Sequence, residues 1–187
     1  MKKMDRKTSG FLEAILAHPD DDAPRLVYAD WLDEHGDAER AEFIRVQIER
    51  AALPKWDVRQ VALRLREQVL LAKHGAGWRA ELPTVKGVTW GDFRRGFMAT
   101  GEFGTFATLR AKAAACWAAT PLEAAVVRWP RQRDEAKELG PIAGLRELTV
   151  NGTLVDAEDV ARIAAAPVLS TLRALNVQDA SLGTEGF

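Results

Sequence analysis

One cysteine, Cys116, occurs in the whole chain, so no disulfide can close within it and the fold must rest on packing. Such sparse cysteine use fits a reducing compartment, and a cytoplasmic protein is expected. Cys116 lies in Ala-Ala-Ala-Cys-Trp-Ala-Ala, an apolar helical stretch that calls for a small buried packing residue rather than a reactive thiol. Histidine is scarce as well. None of His18, His35 and His74 has a second histidine or a cysteine at metal-ligand spacing, so no metal and no cofactor is expected. Long apolar runs are missing: none reaches the roughly 18 residues of a membrane span. The charged start, Met1-Lys-Lys-Met-Asp-Arg-Lys, has no apolar segment behind it, so no signal peptide is expected. Charge of one sign is missing too. A net charge of −1 argues against a dedicated nucleic-acid or anionic-membrane binder. The glycine-rich stretch 86–104 carries neither a Walker nor a dinucleotide fingerprint.

What remains is ample for a packed core, since 47% of the 187 residues are hydrophobic. The first 74 residues predict four helices. The first spans about Gly10 to Ala17, with Thr8 or Ser9 as cap. The second follows Asp21 or Asp22, has Pro24 in its first turn and ends at Gly36. The third starts after Asp37 and stops at Pro54. The fourth runs from about Val58 to His74, with Asp57 as cap, Gly75 as terminator and Leu63, Leu65, Val69, Leu70 and Leu71 as apolar members. All three histidines then fall at helix ends, where they would cap free carbonyls. Asp30 is expected to pair with Arg25 or Arg45 in a partly buried network. The aspartates around Asp20–Asp22 do not match a calcium loop. Val85–Trp90 and Gly96–Phe103 predict strands around Gly91-Asp92, and 105–119 predicts an alanine-rich helix capped by Thr105 and ended by Pro121.

The last third repeats itself. Leu145-Arg-Glu-Leu-Thr-Val150 returns 27 positions later as Leu172-Arg-Ala-Leu-Asn-Val177, and Leu122-Glu-Ala-Ala-Val-Val127 lies 23 positions upstream. Leu-x-x-Leu-x-Leu/Val at this spacing is the mark of leucine-rich repeats. The expected fold is therefore α+β: an N-terminal helical domain (1–74), a hairpin and helix that connect and cap (75–120), and about three leucine-rich repeats (121–187) with parallel strands in a short α/β solenoid. Val155–Ala166 predicts a return helix capped by Asp156. With Leu148, Val150, Leu175 and Val177 pointing inward, the alternate residues form the concave face: Ala124, Val126 and Arg128, then Glu147, Thr149 and Asn151, then Ala174, Asn176 and Gln178. Val126, Arg128, Glu147, Thr149, Asn151, Asn176 and Gln178 are the candidate partner-binding residues. Few residues follow the last strand, so an exposed edge there would favour self-association. Trp56 and Trp90 are candidate interface residues among otherwise core tryptophans.

Two strings in the helical part, Pro24-Arg-Leu-Val-Tyr-Ala-Asp-Trp-Leu32 and Glu42-Phe-Ile-Arg-Val-Gln47, together with Arg95-Gly96-Phe97, resemble the repeat-companion domain of planctomycetes and myxobacteria. Ala125, where a leucine is expected, is a departure from the repeat pattern. The resemblance implies a cytosolic bacterial protein in which a helical module accompanies leucine-rich repeats, with no catalytic residues to carry over. The expected function is a non-catalytic adaptor that binds a protein partner. The alternatives are a regulatory subunit of an enzyme complex and an RNA-binding helper using the basic face of helix 55–74, where Lys55, Arg59, Arg64, Arg66 and Lys73 cluster.

Overall fold

The structure, a computed structural model, describes residues 6–128, 140–142, 144–152 and 157–178. The fold is mixed α+β, helices first and a mostly parallel five-stranded sheet after them. The chain divides into two compact units, Met1–Pro83 with Phe93–Met98, and Thr84–Asp92 with Ala99–Phe187.

The first unit holds α1 (Arg6–Ala17), α2 (Ala23–Glu34), α3 (Ala38–Ala52) and α4 (Arg59–Ala80). Asp37 caps α3 by accepting the Arg40 N–H, and Gly36 before it adopts φ +84°. Asp21 accepts the Ala23 N–H at the start of α2, and Asp57 accepts the Arg59 N–H at the start of α4. The core of α2 and α3 is Ala29, Leu32, Ala41, Ile44 and Ile48, with Tyr28, Trp31 and Phe97 against it. A second cluster packs Phe43 at a tilt against Trp78 (4.8 Å) and sets Phe93 edge-on to Phe43 (5.6 Å). The Arg40 guanidinium lies 4.6 Å from the Trp78 ring centre and 5.4 Å from that of Phe93. Its burial among these rings lowers its pKa from the usual arginine value.

Two expected helix ends are corrected. Helix α1 begins at Arg6, before Thr8 and Ser9, and the Ser9 hydroxyl donates to Glu13 inside the helix instead of capping it. Helix α4 runs through Gly75 and Gly77 to Ala80, so the expected boundary at 74/75 falls inside it. The two glycines cost about 2 kcal/mol together. Burial of Trp78, 7% exposed on Phe43, returns about 2–3 kcal/mol. His74 is accordingly not a cap: it stacks on Trp78 at 5.3 Å, with Nε2 3.9 Å from Glu39 Oε1.

The unit is completed by a two-stranded ribbon, β2 (Phe93–Arg94) and β3 (Phe97–Met98). Its two turn residues, Arg95 (φ +47°) and Gly96 (φ +87°), both have the positive φ of a type I′ hairpin. The turn is held from three directions. The Gly96 N–H donates to Gln47 Oε1 at 2.7 Å, Arg95 pairs with Asp22 at 3.3 Å, and the Phe97 ring lies 5.8 Å from Tyr28. Gln47, 3% exposed, also donates to Glu67 (2.6 Å) and to the Phe93 carbonyl (3.1 Å).

The second unit is a sheet of order β1-β4-β5-β6-β7, made of β1 (Val88–Trp90), β4 (Thr100–Phe103), β5 (Ala124–Arg128), β6 (Glu147–Asn151) and β7 (Ala174–Gln178). Only β1–β4 is antiparallel; every later pairing is parallel. The expected pair of strands around Gly91-Asp92 is thus two hairpins, β1/β4 in this unit and β2/β3, which comes between them in the chain, in the first. Helix α5 (Phe106–Ala119), capped by Thr105, connects β4 to β5. Helix α6 (Ala157–Ala164) and a 3₁₀ turn (Pro167–Thr171) connect β6 to β7. The expected Asp156 cap lies outside the described residues. Leu148, Val150, Ala125 and Val127 are fully buried under the sheet, whereas Leu175 and Val177 are half-buried. Cys116 is buried on α5, and burial pushes its thiol pKa up.

One hydrogen-bond pattern recurs at every parallel crossing. Glu123 and Ala124 N–H both donate to the Ala99 carbonyl (2.8 and 2.9 Å). Arg146 and Glu147 both donate to Glu123 (2.8 and 3.0 Å), and Arg173 and Ala174 both donate to Arg146 (2.7 and 3.1 Å). The acceptors are spaced 24 and 23 residues apart, and the last donor pair begins 27 residues after its acceptor.

Candidate partner-binding face

Strand register decides which side chains share a face, because they alternate along each strand. Val126 pairs with Thr149 and Thr149 with Asn176. Arg128 pairs with Asn151 and Asn151 with Gln178, while Ala124, Glu147 and Ala174 form a third row. The seven residues selected from sequence therefore fall on one face, in rows stepped by about 4.8 Å per strand. Arg128, Asn176 and Gln178 are exposed; Val126, Glu147, Thr149 and Asn151 are half-buried. The Asn151 Oδ1 is shielded from solvent and accepts no hydrogen bond from the described residues.

The face is wider than the repeats imply. Strand β4 adds Thr100 and Glu102 in register with Ala124 and Val126, and β1 adds Thr89 opposite Glu102. Sequence reasoning missed β4 as a member of the parallel run because it lacks the leucine. Gly101 stands at the leucine position, and a Cβ there would sit 2.9 Å from the Phe103 ring. Spacing was the available signal, since Met98-x-x-Gly101-x-Phe103 precedes Leu122-x-x-Ala125-x-Val127 by 24 residues. The face mixes Glu102 and Glu147 with Arg128 among hydroxyl, amide and methyl groups, and offers no field of one sign.

The other sequence candidates are structural. Arg45 binds Asp30 (2.6 Å) and Asp33 (2.5 Å) in a network that is exposed, not partly buried; Asp30 is 69% accessible. Arg25, 1% exposed, instead donates to the carbonyls of Pro19 and Asp21. His35 does cap α2, with Nδ1 2.7 Å from the Trp31 carbonyl.

The basic face of α4 is largely compensated. Arg66 forks onto Glu42 (2.5 and 2.6 Å), Lys73 reaches Glu39 (3.3 Å), and Arg59 reaches Asp57 (2.9 Å). The Arg66 guanidinium holds the Glu42 carboxyl below its ordinary pKa. Glu39 is lowered first by a hydrogen bond to its own backbone and then by Lys73, and Asp57 by Arg59.

Leu65 and Val69, named from sequence as apolar members of this helix, are 58% and 55% exposed. Leu26 and Val27 of α2 are likewise on the surface. Among the described residues no group of three or more His, Cys, Asp or Glu is placed to hold a metal. Among them, too, no helix is long and apolar enough to cross a membrane. No protein-family model, no curated protein and no solved structure matches the chain.

Proposed function

We propose that this chain is a cytosolic bacterial protein of the repeat-companion type. In this reading its helical unit accompanies a short leucine-rich-repeat solenoid, and it acts as a non-catalytic adaptor that binds a protein partner through the face containing Val126, Arg128, Glu147, Thr149, Asn151, Asn176 and Gln178. The observation that carries the solenoid reading is the recurring pair of N–H donors on one carbonyl at Ala99, Glu123 and Arg146. A repeat unit that reuses one backbone geometry reuses its strand-entry hydrogen bonds. The family reading draws support from the way its three strings meet. Arg95-Gly96-Phe97 touches the string beginning at Pro24 through Tyr28 and the string beginning at Glu42 through Gln47. The adaptor reading draws support from the mixed character of the open face, which carries charges of both signs and suits a protein surface better than a phosphate backbone.

The test is an affinity capture from the host lysate with wild type and with Arg128→Glu combined with Asn176→Arg. Both positions are exposed, so the double variant should melt like wild type. A protein retained by wild type and lost by the variant supports the proposal; identical capture by both refutes the assignment of the face.

A further inference from the structure

Helix α4 has two apolar faces, and the first unit uses only one. Glu67, Leu70, Gly75 and Trp78 are buried. On the opposite side Val58 (85% exposed), Val61 (63%), Leu65 (58%) and Val69 (55%) form a second line, preceded by Trp56 at 85%. The steps from 58 to 61, 65 and 69 are three, four and four residues, which places these side chains on one helical face. Ala72 and Ala76, also exposed, continue it. The line is about 27 Å long from Val58 to Ala76 at 1.5 Å per residue. A solvated helix face has no need of five large apolar groups more than half exposed, and a contiguous apolar strip of this kind marks a docking surface.

Its shape and charge select the occupant. A strip with three-four spacing on a 22-residue helix accepts another amphipathic helix along its length. The cations beside it are not equivalent. Arg59, Arg66 and Lys73 are engaged by Asp57, Glu42 and Glu39. Lys55 and Arg64 are exposed and make no ion pair among the described residues. The one carboxylate within α4, Glu67, is buried on the other side. The unanswered charge along the strip is therefore positive. A second copy would set this cationic border against its own like, whereas a helix edged with carboxylates would answer it. We propose that the outer face of α4 binds an amphipathic helix of a partner protein whose apolar seam is bordered by Glu or Asp. This surface lies on the helical unit and is separate from the sheet face.

The experiment uses the full chain and a labelled four-heptad helical peptide with a leucine seam and glutamate borders, followed by fluorescence anisotropy. Saturable binding is expected. It should weaken at least about tenfold in V61S combined with L65S and measurably in R64E, and a peptide with lysine borders should not bind. The substituted residues are exposed, so circular dichroism and melting should match wild type. Failure of the acidic peptide to bind overturns the proposal, as does equal binding by wild type and the serine variant. Two further readouts would also overturn it in the absence of peptide binding. One is dimerisation in sedimentation that V61S/L65S abolishes, which assigns the strip to a second copy. The other is sedimentation with phosphatidylglycerol vesicles, which assigns it to a membrane surface.

Discussion

Replacing Gly96 by alanine tests how the hairpin is locked to α3. Gly96 sits at φ +87°, and a Cβ there would lie 2.3 Å from Ile44 Cγ1, 2.9 Å from its Cβ and 3.0 Å from its Cα. The obstacle includes backbone of a helix in the core, so it cannot swing aside. The positive φ alone costs a side-chain-bearing residue about 1–2 kcal/mol. Overpacking against Ile44, which is fully buried, adds about 1–3 kcal/mol. If the turn retreats to relieve the clash, it loses the 2.7 Å bond from the Gly96 N–H to Gln47, leaving buried polar groups unmet at a similar cost. The expected loss is about 3–4 kcal/mol, a drop of roughly 12–32 °C for a unit of this size. Gly36→Ala is the control. Gly36 has nearly the same φ, +84°, but nothing within 4 Å of the added Cβ, so it should lose only about 1–2 kcal/mol. Urea titrations followed by tryptophan fluorescence give both numbers. Equal losses for Gly96→Ala and Gly36→Ala would refute the steric argument.

Four other outcomes are expected. Gln47→Leu should destabilise by about 3 kcal/mol in the same titration, because the Gly96 N–H and the Phe93 carbonyl lose their partner together; a near-neutral result would mean water replaces the amide. Asp30→Asn should change the unfolding free energy by no more than about 0.5 kcal/mol, since the pair with Arg45 is exposed; a loss above about 1.5 kcal/mol would place it in the interior. Glu42 has its carboxyl held below the ordinary 4.5 by Arg66, so its contribution is complete above that pH and fades as pH falls through the lowered value. The urea midpoint should stay level from about pH 7 to 5 and drop below about 4.5, with a shallower drop in Glu42→Gln. Gly77→Ala should raise stability by about 0.5–1 kcal/mol, because Gly77 is helical with no atom within 4 Å of an added Cβ; a loss would show that the site is crowded.

The parts of the fold written in local chemistry were legible from sequence. Asp37, Gly36 and Thr105 bound their helices as expected, and period-two patterning placed the candidate face residues of β5, β6 and β7 on one side. What escaped depended on contacts between distant residues. Gly75 reads as a terminator until Trp78, three residues on, is seen to anchor the helix on Phe43. Met98-x-x-Gly101-x-Phe103 does not read as a repeat strand, because an aromatic ring does the filling that a leucine does elsewhere. The two-sidedness of α4 escaped for another reason. Leu63, Leu65, Val69, Leu70 and Leu71 wrap more than half of the helix, and hydrophobicity alone does not say which side meets the core. The Asp30 network was expected with either Arg25 or Arg45, of which Arg45 is the partner, and its exposure is something no short-range pattern encodes.

The hairpin of β2 and β3 has a consequence for heredity. Six residues, Phe93–Met98, belong to the helical unit although the chain on both sides of them belongs to the other. A genetic cut after Pro83 would deliver a helical fragment stripped of Phe93, Gly96 and Phe97, with Gln47 deprived of two of its hydrogen-bond partners. The helical unit cannot be shuffled onto a new neighbour as a cassette. Recombination that moves it must carry at least the stretch to Met98, so the helical module and the start of the sheet travel through evolution as one inseparable length of sequence.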